Sequence, residues 1–299
     1  MATAGQGGNP DFDGVRRRYL VDLHLRTGRS TVLYAADFLT KGGTAVSITL
    51  QDMQGLMEVF HGLPGPNLDL ILHSPGGQAE AAERLVAYMR SKFDHIRVFV
   101  PLAAMSAATM WALAADEIVM GKHSQLGPID PQITLPRSGI PVPAGSLLSE
   151  FQKASDDCAA DPTRLSAWLP ILQQYPPGLL EICKNTDKLA RLLVSQWVHD
   201  YTFRGDPQAP AKAEAVAAFF ADDGLHLSHG RPITRDQIRA ANLGLNITDL
   251  EADPGLQDAV LSVHHATMIT FMGSTAKLIE NHLGRAFVVQ AAQAAPANT

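Results

Sequence analysis

Within the first 120 residues, short apolar runs of β character alternate with amphipathic helical patterns, and no other feature limits the fold as strongly. "STVLYA" (30–35), "LDLILH" (68–73), "IRVFV" (96–100) and "EIVM" (117–120) are runs of strand length. Between them, "LQDMQGLMEVFHGL" (50–63) and "QAEAAERLVAYMRSKF" (78–93) space apolar residues at i, i+3 and i+4, the period of a helix with one buried face. A strand, a helix and a further strand in succession imply crossover connections and parallel strands. The expected class is α/β, with ligands approaching the carboxyl ends of the strands.

Beyond residue 132 the pattern changes. "LPRSGIPVPAG" reads as a proline-glycine connection into a mostly helical region, about 144–220, broken by "DPT", "YPPG" and "GDPQAP". Asp161 before Pro162 makes a good N-cap and first-turn pair. Thr234 and Gln237 have capping-box spacing, and Gly244 suits a helix stop before a short strand. "LQDAVLSVHHATMITFMGSTAKLIENHL" (256–283) carries apolar residues on more than one face and reads as a packed tail helix. The expected organisation is a flexible N-terminus over 1–14, one domain over 15–250 containing the helical insertion, a helical extension over 251–289 and a flexible tail over 290–299.

A formal charge of −6 argues against a nucleic-acid surface, and the short Arg16-Arg17-Arg18 cluster reads as a solvated face. Cys158 and Cys183 lack metal spacing and do not form a disulfide framework. The N-terminus does not read as a signal peptide, and no apolar run reaches about 18 residues, so no membrane span and a cytoplasmic location are expected. His226 and His229 would face opposite sides of a strand-like "LHLSHG", and His264 and His265 would diverge by about 100° on a helix. With no HExxH and no cysteine pair, neither a metal nor another cofactor is expected.

Two stretches carry chemistry. "LDLILHSPGG" ends a strand in His73-Ser74-Pro75-Gly76-Gly77, directly before a helix. Paired glycines there let backbone approach a ligand and leave N–H groups free for an anion or oxyanion, although a tight structural turn would use them as well. One βα unit later, Ser106 lies between "IRVFVPLAA" and "AATMWALAA". It is either a helix cap or a nucleophile, and the small neighbours Ala103, Ala104, Ala107 and Ala108 leave room for a substrate. The flanking methionine and alanine differ from the G-x-S-x-G elbow of α/β-hydrolases.

"LILHSPGG", "AMSAATMWALAADEIVM", "SQLGPIDPQI" and "HGRPIT…A…LGL", in that order, resemble the serine dehydrogenase proteinase family. That family belongs to the group sharing the Clp protease and crotonase fold, with signal peptide peptidase A and the NfeD-type proteases. The resemblance spans about residues 30 to 250. It implies a Clp protease/crotonase-like spiral of β-β-α units, a serine nucleophile at Ser106, and an oxyanion hole from the Gly76 or Gly77 N–H with that of Ala107. Relatives usually carry glycine at the position of Ala108, and many have an N-terminal membrane segment.

For the base, relatives of the Clp type use histidine, and those of the signal peptide peptidase A and NfeD types use lysine. Lys153, on the first helix after the proline-rich connection, stands near where the Ser-Lys relatives place theirs, and a desolvated amine there would serve. Beside Asp156 and Asp157 it also reads as a surface lysine. Asp130, in "GPIDPQ", falls near the Clp histidine position and could orient a base; a turn-forming aspartate before Pro131 explains it equally. Lys122 and His123 read as loop residues. The leading function is a serine-type endopeptidase acting on a peptide or protein substrate. A catalytically silent oligomeric scaffold and a crotonase-like acyl-thioester enzyme are the alternatives. "LSAWLPILQQYPPGLLEI" has few charges for its apolar content, so a homo-oligomer with helical subunit contacts or a lid is expected.

Overall fold

The computed structural model describes residues 11–135 and 139–291. The chain begins with α1 (Phe12–Thr27), β1 (Ser30–Ala36), α2 (Asp52–Phe60), β2 (Asn67–His73), α3 (Ala79–Arg90) and β3 (His95–Val100). It continues through β4 (Ala103–Ala104), α4 (Ala107–Leu113), β5 (Glu117–Met120), β6 (Gln125–Leu126), β7 (Gln132–Thr134) and β8 (Pro141–Pro143). The helical insertion follows as α5 (Ala144–Ala160), α6 (Leu165–Leu172), α7 (Leu179–Trp197) and α8 (Ala209–Ala221). The chain then forms α9 (Asp223–His226), β9 (Ile233–Thr234), α10 (Arg235–Ala240), β10 (Ile247–Asp249), α11 (Pro254–Phe271), β11 (Thr275–Asn281) and β12 (Ala286–Gln290).

The large sheet has seven strands in the order β10-β5-β3-β2-β1-β11-β12, and the four runs read as strands from sequence form its parallel centre. All seven residues of β1 are buried, as expected for a parallel strand covered on both faces. One face packs against α2, α3, α4, α7 and α8 through Leu70, Val98, Trp111, Val194 and Phe220. The other packs against α1 and α11 through Leu23, Leu33, Ile71, Phe99 and Val263. A small sheet, β4-β6-β9, lies beyond the strand ends. The turn β3-β4-α4 places a strand in the large sheet, a short strand in the small one and then a helix, and β5-β6 adds the next strand to each sheet. This is the α/β spiral that the resemblance implies.

Several expectations need correction. The tail helix stops at Phe271, not at residue 283; β11 then pairs antiparallel with β1, and β12 with β11. Residues 276–281 are buried consecutively because both faces of β11 are covered. Such a run has no strand periodicity to distinguish it from a buried helix. The 251–289 extension is therefore a helix plus a hairpin that widens the sheet. Arg16 is not solvated: it is buried and donates to Glu280 at 2.6 Å, since a buried carboxylate on β11 needs a cation. "LHLSHG" is no strand but the end of α9 and a loop. The proline-glycine connection contains β8, which pairs antiparallel with β7 just ahead of it. Most of the two expected flexible ends, 1–10 and 292–299, lies outside the described residues.

Candidate active site

The small sheet clamps together the two βα turns singled out above. The Ser74 N–H donates to the Ala103 carbonyl at 3.1 Å, and the Met105 N–H donates back to the Ser74 carbonyl at 2.9 Å. This brings the glycine pair against the Ser106 turn. A Cβ on Gly76 (φ 92°) would lie 2.5 Å from the Met105 carbonyl oxygen and 2.8 Å from the Ala107 nitrogen. A Cβ on Gly77 would fall 2.3 Å from the backbone oxygen of Ile48. Both positions therefore demand glycine.

The hydrogen bonds distinguish the two glycines. The Gly76 N–H donates to Ser74 Oγ at 3.2 Å, and its carbonyl accepts from the Ile48 N–H at 2.8 Å. The Gln78 N–H donates to the Ile48 carbonyl at 2.9 Å. Among the described residues the Gly77 N–H has no acceptor.

Ser106 stands at the N-cap position of α4, yet its side chain makes no cap hydrogen bond. Its backbone, at φ 52° and ψ −121°, is in a region that a residue with a side chain enters only under strain. A capping serine has β-region dihedrals instead. The cap reading therefore fails on geometry. Ala107, the first residue of α4, has an N–H beyond the reach of intrahelical bonds.

Ser106, Ala107, Gly76 and Gly77 line a cleft of about 380 Å³, together with His229. Met110, Ile129, Leu189 and Ala190 give it an apolar wall, the last two from α7 of the helical insertion. His229 reaches the cleft through the small sheet. β6 and β9 are antiparallel with Leu126 opposite Ile233, and four residues further along, Asp130 faces His229. His229 Nδ1 lies 2.8 Å from Asp130 Oδ1, and Gln132 Nε2 donates to Asp130 Oδ2 at 2.7 Å. The carboxylate is nearly inaccessible, whereas the imidazole is 28% exposed. Thr109 ties this arm to α4: its hydroxyl donates to the Ala104 carbonyl and accepts from the Gly127 N–H at 2.9 Å.

The structure thus gathers Ser106, Ala107, Gly76, Gly77 and Asp130 in one place. Lys153 lies on the exposed side of α5, outside the residues that line the cleft. His229 was passed over as a base in the sequence, although it begins the "HGRPIT" motif that helped to carry the resemblance. His226, three residues earlier, turns away and bonds the Phe219 carbonyl at 2.7 Å. Among the described residues no cluster of three or more His, Cys, Asp or Glu could hold a metal, and no helix is long and apolar enough to cross a membrane.

Residues 46–249 match the family described as ClpP-like SDH-type serine proteinase, which covers more than half of the chain. The chain belongs to that family. Two similar proteins from Methanocaldococcus jannaschii, both called uncharacterized, are MJ0137, 32% identical over 164 residues, and MJ1495, 31% identical over 163. Each alignment covers 52% of this chain, which spans about half the length of these relatives. Solved structures of the 1510-N membrane-bound stomatin-specific protease are similar at 14% identity. A serine-to-alanine variant aligns with a TM-score of 0.39, covering 68% of this chain and 74% of its own. A lysine-to-alanine variant in complex with a substrate peptide aligns with a TM-score of 0.36, covering 78% and 80%. The cleft of this SDH-type proteinase lies wholly within the matched residues.

Proposed function

We propose that this ClpP-like SDH-type proteinase cleaves peptide bonds with Ser106 as nucleophile and His229, held by Asp130, as general base. The observation that carries this reading is the single cleft shared by Ser106, the free Gly77 N–H and His229. The imidazole donates its Nδ1 proton to Asp130 and so presents the Nε2 lone pair. Nε2 takes the Ser106 proton as Oγ attacks the scissile carbonyl. The Gly77 and Ala107 N–H groups receive the oxyanion of the tetrahedral intermediate. His229 then returns the proton to the leaving amine, and water hydrolyses the acyl-enzyme with His229 again as base. A lysine base would have to be desolvated, which an exposed residue on α5 is not. The apolar wall suits an aliphatic side chain of the substrate, and the assembly is a homo-oligomer.

A fluorophosphonate probe tests this directly. Wild type should be labelled, and Ser106→Ala should not, with circular dichroism unchanged. His229→Ala and Asp130→Asn should each slow labelling by about 10³-fold or more. Lys153→Ala should label at the wild-type rate. Normal labelling of His229→Ala, with loss in Lys153→Ala, would return the base to the lysine.

A further inference from the structure

The Ile48 segment that presses on Gly77 is itself held from behind by a buried lysine outside the family-matched residues. Lys277, on β11, is 1% exposed. Its Nζ donates to the Ser47 carbonyl at 2.6 Å and to Asp52 Oδ1 and Oδ2 at 2.6 and 2.9 Å. Asp52, at the start of α2, also accepts from the Tyr34 hydroxyl at 2.7 Å and from the Thr49 N–H at 3.0 Å. The segment 47–49 is therefore fixed on both sides of Ile48, through the Ser47 carbonyl and the Thr49 N–H. Ile48 in turn bonds Gly76 and Gln78, the two neighbours of Gly77. The Tyr34 ring packs edge-on at 5.1 Å against Trp111 of α4, the helix that Ser106 opens.

We infer that Lys277 is a positioning residue for catalysis: through Ser47 and Ile48 it sets where the Gly77 N–H points. This rests on the assignment of that N–H to the oxyanion hole. The argument is geometric. Gly77 has no side chain to anchor it, and a Cβ there would overlap Ile48 backbone atoms, so the flush contact with Ile48 fixes its plane. A donor acts on an oxyanion only from a narrow range of positions, and hydrogen bonds weaken steeply when misaligned. The Ser47 carbonyl is a partner that a neutral aliphatic side chain at 277 cannot hold. The C-terminal hairpin, which β11 adds next to β1, thus belongs to the catalytic unit.

The test is fluorophosphonate labelling of the full chain, separating the maximal labelling rate from the half-saturating probe concentration. Lys277→Met should lower the maximal rate by at least about tenfold, a fraction of the about 10²–10³ lost when an oxyanion donor is removed. The half-saturating concentration should change far less, since the apolar wall of Met110, Ile129, Leu189 and Ala190 is untouched. Arg16→Met serves as the control: it breaks another buried ion pair to β11, so it should destabilise the fold without changing the rate. If the unpaired Asp52 prevents Lys277→Met from folding, Lys277→Met/Asp52→Asn removes both charges and keeps an acceptor for Tyr34 and Thr49. It should show the same loss. A folded Lys277 variant with the wild-type maximal rate overturns the proposal, as does an equal loss in Arg16→Met. Absence of Ser106-dependent labelling in the wild type would instead overturn the peptidase reading, and this proposal with it.

Discussion

At φ 52° and ψ −121°, Ser106 has dihedrals that glycine would adopt without strain, yet the position carries a hydroxyl. Such strain is of the order of 1–3 kcal/mol and persists only where the surroundings impose it. Here the clamp between Ser74 and residues 103–105 imposes it on one side, and the rigid, fully buried α4 on the other. The strain turns Oγ away from the helix N–H groups that a cap would bind. Substitution by glycine should therefore separate stability from function. Ser106→Gly should abolish probe labelling and raise the unfolding free energy by about 1 kcal/mol over Ser106→Ala in urea denaturation. If Ser106→Gly were no more stable than Ser106→Ala, the strained turn would not be a feature of the folded protein.

At the scale of elements, β2 leads to the oxyanion loop on one face and buries a histidine on the other. His73, its last residue, packs between Phe38 (4.8 Å between ring centroids) and His264 of α11 (5.0 Å). Burial pushes His73 down to about 4, against the pull of Asp37. Burial likewise pushes His264 down to about 3, and charge on His73, His265 or His123 would oppose its protonation further. In the unfolded chain both rings titrate near ~6.5. Between that value and about 4 the unfolded state binds more protons, so stability is complete above ~6.5 and falls as the pH drops. Each ring contributes about 1.4 kcal/mol per pH unit once its unfolded form is protonated. Chemical denaturation at several pH values between 7.5 and 4.5 should show this decline, and His264→Leu should make it shallower, the remainder resting on His73 and on His282, which burial also pushes down. A profile for His264→Leu as steep as that of wild type would refute the assignment.

For the whole molecule, the helical insertion does two jobs. α7 and α8 cover the sheet, and α7 walls the cleft with Leu189 and Ala190. α5 packs on the start of α7 through a small separate core built on Ala144, Leu147, Leu179 and Cys183. No residue of α6 is buried; Leu165 and Leu169 stand open, as do Phe151 of α5 and Ile182 of α7. A helix this apolar with no buried face needs a partner. Its expected cover is a second copy of the chain. Light scattering at micromolar concentration should return a discrete multiple of 32.1 kDa, and Leu169→Asp with Ile182→Asp should reduce it. A wild-type mass of 32.1 kDa would exclude the assembly.

The four central strands, their crossover helices and the Ser106 and Gly76-Gly77 turns were legible in the sequence because each depends on local order: periodicity, glycine pairs, a hydroxyl at a strand-to-helix junction. The capping box at Thr234 and Gln237 was legible for the same reason, and both of its bonds form. The hairpin of β11 and β12 was not, since a strand buried on both faces loses its alternation. Nor could the sequence pair Asp130 with His229, 99 residues apart, because the antiparallel register of β6 and β9 creates that contact. Lys153 and Lys277 make the same point from opposite sides. Both fall in stretches that read as helix in the sequence, and only the packing of α5 outward and β11 inward decides which amine meets water and which is buried behind the site.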